Sequence, residues 1–69
     1  MFSIIIENIE TVTAMNFEDY QTAVGMYFSL LGAAILQKED KRFLLLLNDS
    51  IIREVEIADG AVTVDSSCG

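Results

Sequence analysis

Hydrophobic and polar residues change period twice along this chain. From Phe2 to Asn8 the residues are largely β-branched and two-periodic, with Phe2, Ile4 and Ile6 on one side and Ser3, Ile5 and Glu7 on the other. Such alternation predicts a strand, because successive side chains of a strand point to opposite faces. Ile9 to Ala14 is also strand-compatible, as a continuation or as the second arm of a tight turn at Glu7-Asn8.

The period then lengthens. Phe17, Tyr20, Val24, Tyr27, Phe28 and Leu31 form one stripe of a helix over about residues 17 to 31. Asn16 is a suitable N-cap, Glu18 and Asp19 place negative charge at the positive end of the helix dipole, and Met15 with Tyr20 fits a hydrophobic staple. Gly32 stands where a terminating glycine belongs.

Beyond Gly32 the pattern returns to strands. Ala33 to Gln37 leads into the charged turn Lys38 to Arg42, and Phe43 to Leu47 is a short apolar run of strand length. Asn48-Asp49-Ser50 marks a turn, and Ile51 to Ala58 sets Ile51, Val55 and Ile57 opposite Glu54 and Glu56. Asp59-Gly60 is a hairpin signal of the type I′ kind, with Ala61 to Asp65 returning. The expected fold is a single α+β domain over residues 1–65. It has two layers, one helix on an antiparallel sheet of four or five strands, in the order β-α-β-β-β. Residues 66–69, Ser-Ser-Cys-Gly, are expected to be a disordered tail.

One helix covers one face of a sheet. If Phe2, Ile4, Ile6, Ile51, Val55 and Ile57 pack beneath it, the other face keeps Ile5, Leu44, Leu46 and Ile52, bordered by Glu7, Glu54 and Glu56. An apolar centre with a polar rim is the form of an interaction surface, so these seven residues are the candidate protein-binding site. A second copy is expected to cover that patch, making a homodimer.

Composition sharpens this picture. The 69 residues are 52% hydrophobic yet carry eleven Asp and Glu against four Lys and Arg, a formal net charge of −7. Nucleic-acid binding depends on Lys and Arg neutralising phosphates, so direct contact with DNA or RNA is not expected. Anionic membranes are disfavoured for the same reason, whereas a partner with a basic surface would be attracted. The uncharged stretch Ala23 to Leu36 would span only about 21 Å as a helix, short of a hydrocarbon core of about 30 Å, and is expected to be core rather than a membrane span. Met1 to Glu7 has no basic run before its apolar one, so no secretory leader is expected. With one cysteine, no intrachain disulfide can form, and a cytoplasmic location is expected.

Chemistry is hard to place on this chain. It has no histidine, the commonest acid–base group at neutral pH. Glu18-Asp19, Glu39-Asp40 and the pair Glu54 and Glu56 read as a solvated helix start, a turn and an outward strand face. Cys68 lies in the expected tail without a neighbouring base, and the glycines at 25, 32, 60 and 69 match no phosphate-binding spacing. No catalytic, cofactor-binding or metal-binding residue is therefore assigned, and an enzyme is not expected. The expectation is a small acidic protein-binding module, an inhibitor or adaptor that docks on a basic, nucleic-acid-binding host protein. In size, charge and missing motifs it is similar in kind to phage-encoded anti-restriction and anti-CRISPR proteins, which implies a viral protein acting in a host cytoplasm. No residue pattern ties it to one such family. The alternative is a structural homo-oligomeric subunit whose acidic residues serve solubility.

Overall fold

The computed structural model describes residues 1–67 and shows an α+β domain of one helix on a five-stranded antiparallel sheet. Its elements are β1 (Phe2–Glu7), β2 (Val12–Phe17), α1 (Tyr20–Leu36), β3 (Lys41–Leu47), β4 (Ser50–Ala58) and β5 (Ala61–Ser67). The sheet order is β2-β1-β3-β4-β5, with every neighbouring pair antiparallel.

Turn chemistry accounts for the hairpins. Between β1 and β2, the Asn8 side-chain oxygen accepts from the Glu10 and Thr11 backbone N–H groups and from the Thr11 hydroxyl. This side-chain loop lets Glu7 pair with Val12, so Ile9 to Thr11 form the turn, and Val12 to Ala14 belong to the second arm of a hairpin and not to β1. Asn48 and Asp49 join β3 to β4 with φ 49° and 70°, and Asp59 and Gly60 join β4 to β5 with φ 53° and 77°. Both are the paired positive φ values that a two-residue type I′ turn requires.

The helix starts and ends later than the apolar stripe suggests. Asn16 and Phe17 belong to β2, where Asn16 pairs with Ser3 and accepts a hydrogen bond from its hydroxyl at 2.9 Å. Asp19 is the N-cap instead: its carboxylate accepts the Thr22 N–H at 2.8 Å and the Thr22 hydroxyl at 2.9 Å. Those two bonds hold the Asp19 carboxyl below its ordinary pKa of 3.8. Gly32 lies inside α1, and Ala33 to Leu36 is its last turn and not a strand. The terminator is Lys38, with φ 56°; its N–H donates to Ile35 and the Glu39 N–H donates to Ala34, closing a Schellman motif without glycine. Gly60 fits beneath that end. A Cβ there would stand 2.7 Å from the Ile35 carbonyl oxygen and 3.1 Å from Lys38 Cα, so only glycine allows the approach.

The core lies between α1 and the sheet. Ala23, Tyr27, Leu31 and Ala34 face Ile4, Phe43, Leu45, Val55 and Ile57. Tyr27 is at its centre with no exposed surface, and its hydroxyl donates to the Phe43 carbonyl at 2.8 Å. Burial pushes the pKa of that hydroxyl up to about 12. The helix lies mainly over β1, β2 and β3 and reaches β4 through Val55 and Ile57, and β5 is exposed along its whole length.

Two irregularities decide which side chains meet the helix. Leu45 pairs with Arg53 and Leu46 with Ile51, so Ile52 is the additional residue of a bulge in β4. Thr63 is likewise additional in β5, between Val62 opposite Ile57 and Val64 opposite Glu56. The first bulge corrects the alternation expected for β4. Ile52 turns to the helix side and packs on the core, whereas Ile51 shares the open face with Leu46. Ser66 and Ser67 stay in the sheet opposite Glu54 and Arg53 rather than joining a disordered tail. Cys68 and Gly69, the rest of that expected tail, lie outside the described residues.

Candidate interaction surface

Strand pairing assembles the open face of the sheet. Ile5 sits between Ala14 of β2 and Leu44 of β3, while Glu7 lies between Val12 and Arg42. Leu44 is opposite Glu54, and Arg42 is opposite Glu56. Six of the seven residues expected at the site, Ile5, Glu7, Leu44, Leu46, Glu54 and Glu56, thus share one face. Ile52 does not; the bulge carries it to the other side.

This face differs from the expected apolar patch in a second respect. Leu44 is only 6% exposed and Leu46 9%, although no helix covers them. Strand β3 is central, so neighbours flank it on both sides. Arg42 also reaches across it: its Nε donates to Glu54 at 2.7 Å and its Nη1 to Glu7 at 3.1 Å. These two ion pairs tie β1, β3 and β4 together across the open face. The accepted bonds keep the Arg42 guanidinium above its ordinary pKa, with Glu54 the larger cause. Two of the three expected rim carboxylates, Glu7 and Glu54, are consequently matched within the chain, and Glu56 alone is not.

Unmatched charge collects elsewhere. The four ion pairs among the described residues engage Glu7, Glu39, Glu54 and Asp65. Of the eleven acidic residues, seven therefore have no ion-pair partner there: Glu10, Glu18, Asp19, Asp40, Asp49, Glu56 and Asp59. Four of these, Glu10, Asp40, Glu56 and Asp59, stand at the end of the sheet where the β1–β2 turn, the α1–β3 connection and the β4–β5 turn converge. Asp40 is also fixed by accepting the Asp59 N–H. A shallow concavity of about 460 Å³ opens there, lined by Asn8, Ile9, Glu10 and Lys38 to Lys41. Ile9 stands at its lip, 96% exposed.

The exposed apolar residues lie on the helix, on the edge strands and beside the β3–β4 turn, where Leu47 and Ile51 are exposed. Tyr20, Met26, Phe28 and Leu36 are exposed on α1, and Val12, Val62 and Val64 on the edge strands. The signal for the edge was present in the sequence, since Thr11 to Phe17 is a strand-length run without charge or proline. Among the described residues no group of three or more His, Cys, Asp and Glu side chains could hold a metal ion, and no helix is long and apolar enough to cross a membrane. Comparison of the chain with protein-family models, curated proteins and solved structures finds no match.

Proposed function

We propose that this chain is a protein-binding module that docks on a partner carrying a basic surface and acts by occupying that surface. One observation carries the reading: among the described residues, seven carboxylates have no ion-pair partner, and four of them are gathered at one end of the sheet. Charge held in that way steers a cationic partner and selects against anionic ones. An inhibitor or adaptor of nucleic-acid-binding proteins, within a cell's cytoplasm, is the use this chemistry suits best.

The test is affinity capture from the source cell across a salt series, comparing the native chain with Glu10→Lys/Asp40→Lys/Glu56→Lys. A partner held by this end should elute as salt shortens the Debye length from about 10 Å at 0.1 M. The charge-reversed chain, with its fold verified by circular dichroism, should fail to retain that partner. Equal retention by both chains would refute the proposal. Exposed Tyr20, Met26, Phe28 and Leu36 on an uncharged helix favour a second reading, a homo-oligomeric subunit. Light scattering decides that case, since a monomer at micromolar concentration removes it.

A further inference from the structure

The two edges of the sheet are built differently. β5 is kinked by the additional residue Thr63 and carries Asp65, and a bulge and a charge both discourage a further strand. β2 has neither feature. Its six residues, Val-Thr-Ala-Met-Asn-Phe, pair with β1 without a register shift and include no charge and no proline. At about 3.6 residues per turn, Met26, Leu30 and Ala33 fall on the flank of α1 opposite Phe28, which lies over Arg53 of β4. That flank therefore lies toward β2, and α1 carries no charge from Tyr20 to Leu36. The whole β2 side of the molecule is a regular strand edge beneath an uncharged apolar shelf.

Charge limits the occupant. Glu10 stands just before β2, and Glu18 and Asp19 just after it. A second copy adding antiparallel about Ala14 would set Glu10 against the partner subunit's Glu18 at both ends, between molecules of net charge −7. An uncharged strand with Lys or Arg at both ends meets complementary charge instead. We infer that β2 is a docking edge for an extended segment of a basic partner, which adds as a sixth strand with its cationic ends against Glu10 and against Glu18 and Asp19. This rests on the proposed function and names the mode of docking: main-chain hydrogen bonds supply affinity, and the end charges supply selection.

The probe is the synthetic peptide Lys-Lys-Val-Thr-Val-Thr-Val-Lys-Lys, with one control carrying proline at the central valine and another carrying glutamate for all four lysines. Binding to the isotopically labelled chain is followed by amide shifts and by hydrogen exchange over Val12 to Phe17. The probe should slow exchange at alternate β2 amides, and each control should bind at least about tenfold more weakly. Ala14→Lys, at an exposed position, should lose the probe while keeping the amide spectrum of β3 and β4. Shifts confined to Glu10, Asp40, Glu56 and Asp59 would overturn the strand edge and leave charge-led docking intact. Full binding by the proline peptide, no binding of the probe at millimolar concentration, or a β2-protected homodimer of the chain alone would each overturn the inference.

Discussion

Replacing Tyr27 with phenylalanine isolates one buried oxygen and gives it two separable consequences. The ring, edge-on to Phe43 at a centroid distance of 6.3 Å, is retained, and the hydrogen bond to the Phe43 carbonyl is lost. At neutral pH that bond contributes about 1–1.5 kcal/mol net, which for a domain of this size corresponds to a fall in Tm of about 4–8 °C per kcal/mol. The second consequence depends on pH. The folded hydroxyl titrates near 12, against 10.0 when exposed, so the fold favours the protonated form. That preference is fully present below pH 10 and is lost as pH rises through 12, removing about 2 kcal/mol from the wild type by the upper limit. The phenylalanine variant has no such loss. Wild type should be the more stable protein at pH 8, the two should match near about pH 11, and the order should reverse beyond it. Urea unfolding followed by far-UV circular dichroism from pH 8 to 12 measures the difference, in which effects common to both chains cancel. A difference that stays constant with pH refutes the reasoning.

Asp19→Ala should lower Tm and helix content while Asn16→Ala leaves helix content unchanged; circular dichroism of both variants checks which residue caps α1. Because the folded carboxyl of Asp19 lies below 3.8, its stabilisation is present above that pH and is lost as pH falls through the folded value, so an acid titration of Asp19→Asn should lack this step. Gly25→Ala and Gly32→Ala should each stabilise the chain by about 0.5–1 kcal/mol, since nothing lies within 4 Å of either added Cβ, as thermal unfolding would report. Gly60→Ala should cost about 1–3 kcal/mol, through its φ of 77° and the contact with Ile35, in the same assay. Arg42→Met should leave Glu7 and Glu54, on either side of β3, without their shared cation, so its unfolding midpoint should fall below wild type by more at low salt than at high.

The fold class, the hairpin at Asp59-Gly60 and the central helix were legible because each has a local cause: a period, or a residue pair tolerant of positive φ. The helix ends were not. Phe17 fits the apolar stripe of the helix, but pairing with Phe2 keeps it in β2. Gly32 resembles a terminator, yet the left-handed residue is Lys38, held by two backbone hydrogen bonds that no side-chain preference announces. The candidate site failed at one residue for a similar reason. Alternation assigns Ile52 to the open face, and a one-residue bulge reverses it. Burial of Leu44 was also hidden, because the strand order that sets β3 between β1 and β4 cannot be read from local pattern.

The strand order has a consequence for how the chain is assembled in time. Three of its four strand pairings, β1 with β2, β3 with β4 and β4 with β5, join neighbours across short turns. The fourth, β1 with β3, matches Phe2 to Leu47 and Glu7 to Arg42 with the whole helix between them. The domain is thus a hairpin and a three-stranded meander, each able to zip locally and joined at a single seam. Nearly all of the loop-closure entropy falls on that seam. It is also where Tyr27 reaches from the helix to the Phe43 carbonyl, so the contact at the centre of the core is made when the two halves meet.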